Sequence, residues 1–280
     1  MPRIVSCYTN CYGEFGIRAA VARIGEAGLD ALELALKPHQ LGGLVIPESA
    51  VLTINSSEAE VEEFARLCEE HGVQITSCNI SGGDPKDPEA LRVFKRRIDL
   101  AMRFGVRVVV CGAGAAESES ERQSLYANLR ELGDYAGDRA IVIALETHPG
   151  LTENADAMLR TMMDLDHTNL RLNFDTGNLL YFNADVDPLE ELERVAPLVA
   201  HLHLKDSRGK PGEWYFPALG QGGAVDFTGV RETMDGVEFD GPYSIELEGI
   251  AGEPTLTLEE RQRRVKESVE HLRRCGYFDE

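Results

Sequence analysis

Two periods of apolar spacing alternate from one end of the chain to the other. Short runs with a bulky apolar residue at every second position predict strands: "RIVSCY" (3–8), "DALELAL" (30–36), "VQITSCN" (73–79), "RVVVCG" (107–112), "IVIALE" (141–146), "LRLNFD" (170–175), "VAHLHLK" (199–205) and "YSIELE" (243–248). Longer segments between them carry helical spacing. Val61, Phe64, Ala65 and Cys68 share one face of "EAEVEEFARLCEEHG", which stops at Gly72. Leu91, Phe94, Ile98 and Met102 do the same in "PEALRVFKRRIDLAMRFG", which stops at Gly105. The last helix, "TLEERQRRVKESVEHLRRCG", opens on a threonine cap and also ends in glycine.

Eight strands alternating with about eight helices, without a linker or a break in composition, predict a single α/β domain over residues 1–280, a (β/α)8 TIM barrel. A doubly wound open sheet is the alternative. It lacks the Gly-x-Gly-x-x-Gly turn after the first strand, where the chain reads "SCYTNCYGEFG".

A barrel strand buries one face against helices and the other in the barrel interior. Strand parity then sorts the side chains. In "HLHLKD" (201–206), Leu202 and Leu204 face the helices, so His201, His203 and Lys205 point inward. The same test sends inward Glu146 and then His148 of "IVIALETH", Asn173 and Asp175 of "LRLNFDTGN", and Ser244, Glu246 and Glu248 of "YSIELEG". Glu33 of "ALELAL" also faces inward, where as a single residue it reads equally as structural. Asp206 points outward and is expected to anchor its loop.

Three carboxylates in a closed interior need a cation, because unpaired charges there cost several kcal/mol each, roughly. Glu146, Asp175, His203 and Glu246 make a three-oxygen, one-nitrogen donor set for one divalent ion. Mn2+ is the first choice, with Mg2+, Co2+ and Zn2+ as alternatives. His201, one layer deeper, is a substrate contact or a structural support of that set. Lys205 pairs with a carboxylate or polarises a substrate oxygen. The lone tryptophan, Trp214 in "PGEWYFPALGQG", reads equally as a wall for a sugar face or as simple loop packing.

Charge narrows the partners. The 280 residues include 48 acidic and 28 basic side chains, a formal net charge of −20. That field disfavours nucleic acid and anionic membrane surfaces. No stretch has the length of a bilayer span or the pattern of a secretion signal. The six scattered cysteines form no Cys-x-x-Cys pair and read as reduced, mostly buried thiols of a cytoplasmic protein. The expected partner is a small carbohydrate, with a homo-oligomer open; no phosphate loop stands out, although "GAGA" (112–115) is weakly compatible with one.

At "ALETH…NFDTGN…HLHLKD…SIELEG" the chain resembles the sugar phosphate isomerase/epimerase superfamily, the xylose isomerase-like barrels. Members resembling this pattern hold one divalent ion with Glu, Asp, His and Glu from strands five to eight. Carried over by position, these are Glu146, Asp175, His203 and Glu246, with His203 rather than His201 as the ligand because it starts the "HLKD" unit. The resemblance makes Glu146 and Glu246 the acid/base pair, and His148 of "ETHPG" a further proton donor or acceptor. Two companion residues of the ketose 3-epimerases are not clearly matched: Arg208 lies near the position of one, and Asn178 replaces the other. Endonuclease IV, in the same superfamily, has extra His and Asp ligands that this chain lacks at Asn178, "WYFPALGQG" and "CGAGA". The expected activity is a metal-dependent isomerase or epimerase of a sugar, keto-sugar or keto-inositol, working through an enediolate. The alternatives are a lyase or dehydratase on the same site, or a non-catalytic sugar-binding barrel.

Overall fold

Eight parallel strands close on themselves: β1 (Ile4–Tyr8), β2 (Ala31–Ala35), β3 (Gln74–Asn79), β4 (Val108–Gly112), β5 (Val142–Glu146), β6 (Leu170–Asp175), β7 (Val199–Leu204) and β8 (Pro242–Ile245). They follow chain order around the barrel, and β8 pairs with β1 to complete it. The computed structural model describes residues 2–36, 40–41, 44–45 and 51–278. This is a TIM barrel, and the expected fold class holds.

The helices form the outer layer: α1 (Gly16–Ile24), α2 (Glu58–His71), α3 (Pro88–Met102), α4 (Glu119–Gly137), α5 (Ala155–Leu165), α6 (Thr176–Phe182), α7 (Pro188–Val195), α8 (Phe227–Gly236) and α9 (Leu258–Arg274). Local chemistry sets their ends. Ser57 with Glu60, and Thr257 with Glu260, form reciprocal capping boxes at α2 and α9. Gly72 ends α2 at φ 65°, a conformation that favours glycine.

Parity along the strands divides the core. Leu32, Leu34, Val109, Cys111, Ile143, Leu145, Leu172, Phe174, Leu202 and Leu204 belong to the large apolar layer under the helices. Inside the barrel a separate small cluster of Val108, Val110 and Ala144, with Ala200 against it, fills the lower part. Above it the interior turns polar: Ser6, Glu33, Ser77, Asn173, His201, His203 and Ser244 are all fully buried.

Departures from simple alternation position this polar layer, among them a register shift that leaves Thr76 extra between Ile75 and Ser77. Leu172 pairs with Val199, but Asn173 pairs with His201, so Ala200 is an extra residue at the start of β7. The bulge places Val199 in the outer layer and Ala200 in the inner one, and the rest of β7 then keeps its phase. The last strand is shorter than "YSIELE" predicts and ends at Ile245. Glu246 N still bonds Leu204 O at 3.0 Å. Beyond it the chain leaves the barrel to pair Gly249–Ile250 antiparallel with Tyr215–Phe216.

Among the described residues no helix is long and apolar enough to cross a membrane. All six cysteines are free thiols; five are buried and Cys275 is half-buried.

Candidate metal centre at the barrel mouth

His203 stands at the centre of the polar layer, its ring stacked on Tyr8 with centroids 5.7 Å apart. Its Nε2 lies 2.9 Å from Glu33 Oε2. A proton on Nε2 is therefore held by Glu33, and Nδ1 is the nitrogen that faces the carboxylates. Around Nδ1 stand Glu146 Oε1 at 2.9 Å, Glu246 Oε2 at 3.2 Å and Asp175 Oδ2 at 3.8 Å. All four donor atoms lie within 4.8 Å of one another, and all four residues are buried.

Each carboxylate is aimed by its spare oxygen. Asp175 is the cap of α6, and its Oδ1 accepts from the backbone of Gly177 and Asn178 at 2.9 and 2.8 Å. Its Oδ2 is left buried without a hydrogen-bond partner, directed at His203. Glu246 Oε1 accepts from Asn10 Nδ2 at 3.1 Å. Glu146 Oε2 lies 3.6 Å from His148 Nδ1. An orphaned carboxylate oxygen beside two more carboxylates and one oriented imidazole is a donor set that fits a divalent cation of mixed oxygen and nitrogen preference.

The protonation pattern agrees with that fit. Burial pushes the Asp175 carboxyl well above its usual range, and Glu246 and Glu146 add to the rise against the pull of Lys205 and His203. Burial alone would lower His203, but Glu33 and Glu246 outweigh it and hold the imidazole well above its ordinary value. For Glu146, burial acts upward and is outweighed by His148 and His203, so its carboxyl ends below the usual value. Without a cation, Asp175 and His203 hold their protons more tightly than isolated groups would.

Lys205 is fully buried in the same cluster. Its Nζ donates to Asn178 Oδ1 at 2.9 Å, approaches Glu246 and Asp175 at 3.5 and 3.7 Å, and pairs closely with Glu248. Burial disfavours its charge, yet Glu246, Glu248 and Asp175 together raise its pKa. Its stem crosses α6 where Gly177 has no side chain; a Cβ there would meet Lys205 Cγ at 2.6 Å.

A cavity of about 260 Å3 opens above the cluster. Glu146, His148, Asn178, Lys205, Trp214 and Glu246 all line it, so those expected site residues come together. Two others do not. His201 is fully buried below the cavity, bonded to Ser77 Oγ and Asn173 Oδ1 at 2.9 Å each, and burial pushes its pKa down to about 4. It is a support and not a substrate contact, since parity gave its face but not its depth. Arg208 turns away onto the Tyr215 ring, 3.6 Å from its centroid, and meets Glu213 at 3.4 Å. Its expected substrate contact is replaced by this packing.

Sequence reading missed Tyr8, Asn10 and Asn79, which also line the cavity. Tyr8 and Asn79 end inward-facing strands, so parity could have found them. Asn10 sits in a 3₁₀ turn after β1, where no alternation marks it. Asp206 anchors its loop as expected, accepting from the backbone of Ser207, Gly220 and Val225.

A family model described as a xylose isomerase-like TIM barrel matches residues 21–275. The chain belongs to that family. Among relatives of this xylose isomerase-like barrel, an inosose dehydratase from Clostridium perfringens is 25% identical over 227 residues, 69% of this chain and 76% of that protein. A 3-dehydroshikimate dehydratase from Bacillus anthracis is 28% identical over 103 residues, so the matched part spans only 36% of either chain. Solved barrels agree in fold. A D-psicose 3-epimerase structure with D-fructose gives a TM-score of 0.75 at 12% identity, over 96% of this chain and 98% of the other. A xylose isomerase-like protein from Mycobacterium smegmatis in complex with magnesium gives 0.72 at 20% identity, over 98% and 97%.

Proposed function

We propose that this barrel is a divalent-metal-dependent isomerase or epimerase of a sugar, keto-sugar or keto-inositol. One observation carries the reading: two buried glutamates from different strands converge on one imidazole nitrogen, each backed by a different proton environment. Glu146, Asp175, His203 and Glu246 would hold the ion. When bound, a cation such as Mn2+, Mg2+, Co2+ or Zn2+ supplies polarisation of a substrate carbonyl and stabilises the charge of an enediolate.

The protein's own residues divide the remaining work. Glu246, with Lys205 Nζ at 3.5 Å and Asn10 Nδ2 on its other oxygen, removes the proton beside the carbonyl. Glu146 returns a proton, and His148, half-exposed and 3.6 Å from it, links Glu146 to solvent. Return to the opposite face is epimerisation; return to the neighbouring carbon is aldose–ketose isomerisation. Asn178 and Lys205 orient substrate hydroxyls, and the family relationship supports a small-molecule carbohydrate as the partner.

A lyase on the same site is the second reading, and the dehydratase relatives favour it. It shares the first proton removal and then expels a β-hydroxyl, with His148 placed to protonate the leaving oxygen.

Incubation of metal-loaded protein with a panel of keto-sugars and inososes in deuterated water, followed by NMR, tests both. Isomerase or epimerase chemistry gives deuterium at the carbon beside the carbonyl and a new stereoisomer. Lyase chemistry gives an unsaturated product. Glu246→Gln should slow either by roughly 10²–10⁴-fold. Unchanged substrates without deuterium would instead match a sugar-binding barrel without catalysis.

A further inference from the structure

The cavity is negative at its floor and aromatic at its rim. Glu33, Glu146, Asp175, Glu246 and Glu248 set five carboxylates against Lys205 and, when loaded, one divalent ion. That leaves two negative charges in excess within a chain of net −20. Lys205 offers an anion no unbalanced charge, because its Nζ already faces the carboxylates of Glu246, Asp175 and Glu248 and donates to Asn178. Arg208 is turned away onto Tyr215 and Glu213. Among the described residues no other lysine or arginine lines the cavity.

The rim has the opposite character. Trp214 is 42% exposed and packs edge-on against Phe216 and Tyr181, with centroids 5.0 and 5.9 Å away. Phe182 continues the surface beside Tyr181 at 4.9 Å. All four aromatic residues line the cavity. At about 260 Å3 the cavity, open at its mouth, falls below the range of roughly 300–1,000 Å3 that houses larger ligands. A single sugar-sized unit fills it, and anything attached must lie out along the rim.

We propose that the site takes an uncharged sugar or polyol carrying a ring-shaped or apolar substituent. The reacting carbons lie over the carboxylate cluster and the substituent stacks on Trp214, while sugar phosphates and keto-acids are turned away. This rests on the cavity being the substrate site of the proposed function, but not on the reaction it performs. Aromatic faces bind the C–H face of a sugar or a second ring and have no use for a phosphate. The carboxylate excess repels one.

Calorimetric titration of the metal-loaded protein with phenyl β-D-glucopyranoside, methyl β-D-glucopyranoside, glucose and glucose 6-phosphate tests the inference. The phenyl glucoside should bind about tenfold tighter than the methyl glucoside, about 1.4 kcal/mol. Trp214→Ala should close that gap to about twofold, the phenyl glucoside losing more affinity than the methyl glucoside, and Trp214→Leu serves if the alanine variant does not fold. Glucose 6-phosphate should bind at least about tenfold more weakly than glucose, with the difference shrinking in high salt. Trp214 is the only tryptophan, so its fluorescence should report the phenyl glucoside in the wild type. Equal binding of the two glucosides, tighter binding of the phosphate, or no saturable binding of the phenyl glucoside overturns the inference. A protein that binds through Trp214 yet exchanges no proton in deuterated water keeps this inference and loses the proposed reaction.

Discussion

Glu33 lies 2.9 Å from Nε2 of His203, and that contact decides which imidazole nitrogen meets Glu146, Asp175 and Glu246. The two residues are 170 positions apart in the chain and sit on β2 and β7, three strands apart around the closed barrel. A carboxylate behind a ligating histidine fixes its tautomer and raises its basicity. Glu33→Gln should therefore weaken Mn2+ binding about 10–100-fold with the fold intact. Mn2+ titration followed by electron paramagnetic resonance, beside circular dichroism, checks this; unchanged affinity would make Glu33 merely a buried partner.

Cation binding should strengthen as pH rises. In the metal-free protein Asp175 and His203 both have raised pKa values, so both hold protons to higher pH than such groups ordinarily do, and those protons compete with a cation. Lowering the pH stabilises the protonated, metal-free form, and the affinity falls. Calorimetry in buffers of different ionisation enthalpy should show protons released per ion bound; binding without proton release contradicts the assignment.

Gly177 matters for the room it leaves, since a Cβ would come within 2.6 Å of Lys205 Cγ and 3.1 Å of Lys205 O. Gly177→Ala should cost about 1–3 kcal/mol, the range for overpacking a filled core, despite alanine's better helix propensity. Urea unfolding reads that cost. A neutral or stabilising result would mean that Lys205 has space to move.

Arg97 on α3 is buried, and its Nη1 donates to the carbonyls of Ile80, Ser81 and Gly82 at 2.7–2.9 Å. It holds the loop after β3, including two glycines at φ 106° and 131°, against the barrel. Burial lowers its pKa to about 10, so it remains charged at neutral pH. Arg97→Met should destabilise the fold by roughly 2–4 kcal/mol, because three carbonyls lose a charged donor. Amide hydrogen exchange should rise first in residues 80–83; a rise spread evenly over the barrel would count against a local clamp.

The barrel and the inward direction of Glu146, Asp175 and His203 were legible for one reason. Leu170, Leu172 and Phe174, or Leu202 and Leu204, fix the phase of a strand so firmly that its other face follows. Glu33 was legible as inward-facing, but its contact with His203 depends on how the closed barrel brings β2 and β7 across the interior. Asn10 and Arg208 lie in a turn and a loop, where no period constrains direction, so one was missed and the other misplaced. The Ala200 bulge left no trace in the apolar pattern, because both Val199 and Ala200 suit either face.

The central claim is a four-donor metal centre, and the most direct measurement is the metal content of protein stripped with chelator, reloaded with Mn2+ and desalted. Mass spectrometry should find about one ion per chain in the wild type, and a loss of most of it in Asp175→Asn, whose orphaned oxygen is the most exacting part of the fit. Wild-type protein that retains no ion, or an Asp175→Asn variant that retains as much as the wild type, would contradict the account.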